Sequence, residues 1–331
     1  MAVKSHITIE PGIKIAAQMS PEPGEEDFQF VRQMGVEYAV TWTSGANANY
    51  DYFISRRKLF ENAGIKIYGF GNGSVHNQDA IVLNLPNRDE KIEEYKKYIR
   101  ALGKAGIPHT TYAHMANSVW STDPEEIRGG ARARAFDLEK AQKQRPLTHG
   151  REYTEEEIWD NFTYFIKQAA PVAEAAGVMI GIHPDDPPGP ALGGIPRCIF
   201  SSFEGYKRAL EIADSPNVGI CLCVGCWLEG GEQMGKDVIE TIHYFGEREK
   251  IFKVHFRNVN KTLPHFVETF LDNGYMDMYK VMKALREVNF KGVVIPDHIP
   301  GMTNNHRVGT AYTIGYMKAL LQRANEETGG A

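Results

Sequence analysis

The chain has 331 residues, of which 42% are hydrophobic and 24% charged, a composition that excludes general disorder and supplies a core without disulfide or metal staples. Its 37 Lys and Arg against 42 Asp and Glu leave a net charge of −5 with no long basic run, so nucleic acid is not an expected partner. Four cysteines, three of them crowded into Cys221, Cys223 and Cys226, exclude a disulfide scaffold and fit a reducing compartment.

The N-terminal stretch MAVKSHITIEPG has no apolar signal core, and no apolar run long enough for a membrane span occurs anywhere, so a cytoplasmic protein is expected, with no membrane as partner. Residues 12–18 (GIKIAAQ) read as a first strand and 24–34 as an amphipathic helix. A repeated unit then takes over. Helical segments end in Gly and run straight into short β-rich stretches: QMGVEYAV (33–40), NAGIKIYGF (62–70), KAGIPHTTYAH (104–114) and AAGVMIGIH (175–183). Gly suits the left-handed position just past a helix, and an apolar β-branched run suits a strand buried on both faces. Residues 217–223, 250–256 and 292–297 complete eight strands. Helices are predicted over 50–63, 88–105, 154–176, 202–213, 234–247, 275–288 and 307–326, and Thr154 with Glu157 forms a capping-box pattern at the start of the fourth.

Strict alternation predicts a parallel (β/α)8 TIM barrel spanning 1–331 as one domain; the alternative is an open doubly wound sheet. Against that alternative, GFGNGS (69–74) follows a strand but lacks dinucleotide-binding spacing, and it reads as a loop. The connection after strand four is about forty residues too long. Residues 115–152 are either a lid over the catalytic face or a solvated basic segment.

The polar residues at strand ends are the most informative feature. His183, Cys223, His255 and Asp297 close four consecutive strands, where barrel enzymes build their sites. A lone histidine there is more often structural, but four ligand-type residues at four adjacent ends point to one divalent ion with positions left open for substrate. Cys221 lies a layer deeper and reads as packing, and Cys226 lies in the loop beyond. Asp185 and Asp186, in the stiff run His183-Pro184-Asp185-Asp186-Pro187-Pro188, are candidates for proton transfer or for orienting a ligand, against the bland reading of a turn. Arg257, two residues past His255, is a candidate clamp for a substrate carboxylate, against a surface salt bridge.

IHPDDPPGPALGGIPRCIFS (182–201), LCVGC (222–226), VHFRNV (254–259), FVETFLDNGYMDMYKVMKAL (266–285) and IPDHIPG (295–301) resemble the mannonate dehydratase family, as do LNLPNRDEKIEEYKKYIRALGKAGI (83–107) and RGGARARAFDLE (128–139). The resemblance covers most of residues 65–320. It implies a xylose-isomerase-like barrel, removal of water from D-mannonate to give 2-keto-3-deoxy-D-gluconate, and a homo-oligomer. It also implies a divalent ion, manganese, held by His183, Cys223, His255 and Asp297, with Arg257 and His298 near the substrate and Tyr312 as an acid/base; His298 joins Tyr312, Asp185 and Asp186 as a candidate for the proton transfers. A thiolate ligand by itself favours zinc or iron, so iron, cobalt and zinc stay open.

The chain departs from the family at the substrate end. AAQMSPEPGEE (16–26) stands where the family has an aromatic Trp-Tyr-Gly-Pro stretch, and Tyr112-Ala113-His114-Met115-Ala116 replaces Tyr-Asn-Phe-Met-Pro. The family's Phe-His-Glu appears as Phe266-Val267-Glu268, with His265 displaced. His114 and Trp120 are therefore expected to contact distal hydroxyls of the sugar acid, and Arg132 or Arg134 to reach its charge from the long insertion. Two other readings remain: an isomerase or epimerase using the same ligands, and a non-catalytic sugar-acid binding protein.

Overall fold

The computed structural model describes residues 9–303 and 305–329, so the first eight residues of the N-terminal stretch lie outside the described part. Eight parallel strands close on themselves: β1 (Lys14–Gln18), β2 (Tyr38–Thr43), β3 (Lys66–Asn72), β4 (His109–Tyr112), β5 (Met179–Ile182), β6 (Val218–Cys223), β7 (Ile251–Phe256) and β8 (Val293–Pro296), with β8 pairing back onto β1. A helix follows each: α1 (Glu25–Gln33), α2 (Tyr50–Asn62), α3 (Arg88–Lys104), α4 (Glu155–Ala176), α5 (Phe203–Ala213), α6 (Val238–Gly246), α7 (Met278–Glu287) and α8 (His306–Glu327). This is the predicted (β/α)8 barrel, not an open sheet. The four junction glycines, Gly35, Gly64, Gly106 and Gly177, all have φ between 64° and 76°, the left-handed conformation that releases the chain from a helix without a Cβ clash.

Local chemistry explains the best-formed helices. Thr154 Oγ1 accepts from the Glu157 amide (3.2 Å) while Glu157 Oε2 accepts from the Thr154 amide (2.8 Å), so the expected capping box starts α4. The buried face of α4 meets α3 and β4 through Tyr95, Tyr112 and Phe165, whose rings stand 4.5 to 5.5 Å apart. Each such ring contributes roughly 1.5–3 kcal/mol by leaving water. Among the described residues, no helix is long and apolar enough to cross a membrane.

Two stretches differ from the sequence reading. GFGNGS is not a loop throughout, because Gly69 to Asn72 continue β3. Their glycines make room inside the barrel rather than a turn: a Cβ at Gly69 would lie 2.8 Å from the His109 ring, and one at Gly71 would lie 2.2 Å from the Trp42 indole. The long connection carries one short solvated helix, Leu138–Gln144, but the rest of it is not free in solvent. Its Ala135–Asp137 pairs antiparallel with His265–Thr269, which in turn pairs with Asn258–Val259 just beyond β7. The insertion is thereby fastened to the C-terminal end of the barrel, where Ser118 and Val119 help wall a cavity of about 590 Å³.

Candidate active site

Strand register brings the four ligand-type residues to one level. Cys223 pairs with His255 across β6 and β7, His255 with Ile295 across β7 and β8, and Asp297 follows directly after β8. His183 follows β5 in the same way, with its amide bonded to the Tyr112 carbonyl. The donor atoms converge: His183 Nε2 is 3.2 Å from His255 Nδ1, His255 Nδ1 is 3.5 Å from Asp297 Oδ1, and Cys223 Sγ is 3.8 Å from Asp297 Oδ2. Ligands about 2.1 Å from one ion in a tetrahedron stand roughly 3.4 Å apart; these three spacings are close to that, the ligand atoms of Cys223, His255 and Asp297 lie within 4.8 Å of one another, and Cys223 is shared with a second such group, His183 and Cys226.

The protonation pattern fits as well. His183 Nδ1 donates to the Pro184 carbonyl at 2.7 Å and its Nε2 stands 3.2 Å from His255 Nδ1; burial lowers its pKa, but Cys223 and then Asp186 raise it overall. The buried Nε2 of His255 has no partner, consistent with a ring engaged through its other nitrogen. Burial alone would raise the Cys223 thiol. The hydrogen bond from Cys226 and the charge of Arg257 outweigh it and hold the sulfur well below its usual range, as a thiolate. Burial drives His255 down to about 4, so it stays neutral and free to ligate at pH 7.

Beside this centre lies a buried ionic network. Arg257, 1% exposed, donates through Nη2 to Asp186 (3.1 Å), Glu229 (2.8 Å) and Cys226 (3.3 Å), and through Nη1 to Asp297 (2.9 Å), with Glu268 at 3.2 Å. Arg134, from the insertion, completes it on Asp186 (2.6 Å) and Glu268 (2.7 Å). Burial, then Asp186, pushes the Glu229 carboxyl well above the usual carboxylate range, against the pull of Arg257 and Arg134. Asp186 goes the other way: burial opposes ionisation, but Arg134 and Arg257 dominate and keep it charged.

Above the centre, the cavity is lined by His183, His255, Asp297 and His298 on the ligand side and by Gln18, Trp42 and His76 on the far side. His298 has φ of 42°, an uncommon backbone for a non-glycine residue that costs on the order of 1–3 kcal/mol and turns the ring beside Asp297. Its Nδ1 lies 2.8 Å from Glu268 Oε1 and 2.5 Å from Arg257 Nη1, and of these only the carboxylate can take its proton. Burial lowers its pKa, but Asp297 and then Glu268 more than offset this, and the ring is pushed up to about 9. It is an imidazolium at neutral pH.

The sequence profile of the D-mannonate dehydratase family (UxuA) matches residues 27–324. The chain belongs to the D-mannonate dehydratase family. The mannonate dehydratase of Streptococcus equi subsp. zooepidemicus is 35% identical over 269 residues, covering 73% of this chain and 72% of the relative. The solved mannonate dehydratase of Streptococcus suis serotype 2 superposes with a TM-score of 0.84 at 27% identity, covering 97% of this chain and 96% of that one. A xylose isomerase domain protein from Planctomyces limnophilus, 13% identical, superposes with a TM-score of 0.65 over 96% of this chain and 99% of its own, and shares the fold.

Several residues expected at the substrate do not reach it in this member of the family. Arg257 is no carboxylate clamp, because its terminal nitrogens are taken up by the buried network. Arg134 is in that network too, and Arg132 donates to the Pro124 carbonyl away from the cavity lining. His114 turns outward, with Nδ1 2.9 Å from the Tyr112 hydroxyl and its ring against Phe162. Trp120 is buried under the Arg145 guanidinium. Asp185 accepts from Ser201 (2.9 Å) behind the cavity, while Asp186 reaches the wall but is committed to two arginines, so neither is free for proton transfer. Tyr312 does not line the cavity, and its hydroxyl sits 3.3 Å from Arg128, which is itself paired with Asp272. The acid/base role expected of Tyr312 is not one this geometry supplies. His298 is the expected proton-transfer residue that the structure brings to the cavity. Sequence reasoning missed Glu229, Glu268, Trp42 and His76. Only Glu268 had a signal, as the surviving Glu of the altered Phe-His-Glu.

Proposed function

We propose that the chain converts D-mannonate to 2-keto-3-deoxy-D-gluconate, with His183, Cys223, His255 and Asp297 holding a divalent ion, manganese, and His298 acting as the general acid. The observation that carries this reading is the convergence of two imidazoles and a carboxylate in the wall of one cavity, with the buried Cys223 thiolate next to them, in a chain of the D-mannonate dehydratase family. The proton at C2 of a hydroxy acid is only weakly acidic and leaves to solvent in the open cavity, its electron pair passing to the carboxylate side; an ion held by these residues would supply the positive charge that stabilises that removal. The chain does the rest. Asp297 and Glu268 keep His298 protonated at neutral pH, so it can hand a proton to the departing C3 hydroxyl. Glu268 accepts from the ring Nδ1 and holds it, and Arg257, fixed by Asp186, anchors Glu268 in turn. The cavity, at about 590 Å³, is of the size that small-molecule sites usually have.

The test is a panel of aldonic and uronic acids with added manganese, scored by carbonyl-specific colour chemistry for a 2-keto-3-deoxy acid. D-mannonate is expected to give that product. A ketose of unchanged mass would instead mean isomerisation, and no product from any acid would overturn the catalytic reading.

A further inference from the structure

We infer that His76 is a specificity residue of this cavity: its Nε2 lone pair accepts a hydrogen bond from a hydroxyl on the tail of the substrate, and Trp42 holds the ring in place to do so. This rests on reading the site as one for a sugar acid.

His76 follows β3 and lines the cavity together with Trp42 from β2, across the barrel from the β5–β7 ends that carry His183, Cys223 and His255. Its Nδ1 lies 3.0 Å from the backbone carbonyl oxygen of Thr111. A carbonyl can only accept, so the ring proton sits on Nδ1 and the lone pair on Nε2. The ring is held a second time, edge against face, by Trp42, with centroids 4.8 Å apart and planes at 84°. Trp42 is fixed in its turn by Gly71, where any Cβ would lie 2.2 Å from the indole. Position and rotation of the imidazole are therefore both set before any ligand arrives.

Among the described residues Nε2 has no hydrogen-bond partner, and it is not one of the sealed, unsatisfied buried atoms. An acceptor held this way at a cavity wall discriminates by chemistry. It repels a carboxylate or a keto oxygen and takes an O–H. The carboxylate end of a sugar acid belongs at the opposite wall, beside the ligand set and His298. What remains for His76 is a hydroxyl of the polyol tail, with the Trp42 indole as apolar surface for the adjacent C–H groups. Burial also drives the His76 pKa down to about 3, which makes it a poor base and suits recognition rather than proton transfer.

The experiment uses the manganese-loaded protein and the 3-deoxy analogue of D-mannonate, which has no leaving hydroxyl and is not turned over. Affinity is measured by calorimetry for this analogue and for analogues further deoxygenated at C4, C5 or C6, with wild type, His76→Asn and His76→Gln. The Asn amide can still donate to the Thr111 carbonyl but removes the Nε2 acceptor, whereas Gln keeps an acceptor near the Nε2 position. His76→Asn is expected to weaken the parent analogue about tenfold, with manganese binding unchanged, while one deoxygenated analogue binds wild type and variant equally. His76→Gln should recover part of the loss. Equal binding of the parent analogue by wild type and His76→Asn would overturn the inference, as would one uniform loss across all analogues or loss of manganese. If wild type binds none of these acids, the sugar-acid reading itself falls, a result distinct from the other three.

Discussion

Replacing Arg257 with methionine keeps much of the side-chain volume and deletes a charge that four carboxylates share within 3.2 Å: Asp186, Glu229, Glu268 and Asp297. Burial raises the Glu229 carboxyl well above its usual range, so the loss falls mainly on the other three, of which Asp186 and Glu268 keep Arg134. Breaking a buried ion pair from one side costs about 3–5 kcal/mol, because the partner charge is left desolvated and uncompensated. The metal-free variant should lose that amount in urea unfolding at pH 7, a large part of the about 5–15 kcal/mol that typically holds a domain together. Asp186 has a depressed folded pKa, so its stabilisation is present above the ordinary carboxylate range and fades as pH falls. The gap between wild type and variant should accordingly be widest at pH 7 and shrink on acidification below about pH 4. Glu229→Gln is the internal control: it replaces a carboxyl whose pKa burial raises and whose Oε2 already lacks a partner, and should cost under about 1 kcal/mol. A cost below about 1 kcal/mol for Arg257→Met, or several kcal/mol for Glu229→Gln, would refute this charge assignment.

Gly71→Ala places a methyl 2.2 Å from the Trp42 ring, so it should destabilise by about 1–3 kcal/mol and raise KM for the sugar acid while metal content stays constant. His298→Gln should lower kcat by about 10²-fold or more with metal retained. In wild type, kcat should fall as pH rises through about 9, because a raised histidine pKa keeps the acid form below that value and loses it above. Thr154→Ala removes one half of the capping box of α4 and should cost about 1 kcal/mol in thermal unfolding with kcat unchanged.

The barrel was legible in the sequence because its signals are local. Gly35, Gly64, Gly106 and Gly177 end helices and feed strands, and each takes the left-handed conformation that this role requires. The four ligand-type residues were legible for a related reason: parallel strands in register carry His183, Cys223, His255 and Asp297 to one level without further information. Residues whose role depends on distant partners were not. Arg257 sits two positions past His255, and nothing local says that it packs against Glu229 and Glu268 instead of facing substrate. Gly69 and Gly71 looked like loop residues, whereas they clear space for His109 and Trp42, which lie on neighbouring strands. The insertion misled in the same way, since the pairing of Ala135–Asp137 with His265–Thr269 joins segments far apart in the chain.

The measurement that bears most directly on the account is a manganese titration of the metal-free protein, with the rate of keto-acid formation from D-mannonate followed at each step in wild type and Cys223→Ser. The four converging donors predict a rate that climbs in proportion to bound manganese and levels off at one ion per chain. Cys223→Ser, which replaces the thiolate with a hydroxyl, should show neither tight binding nor turnover. Turnover by the fully chelated protein, or a Cys223→Ser variant that keeps both its ion and its rate, would contradict it.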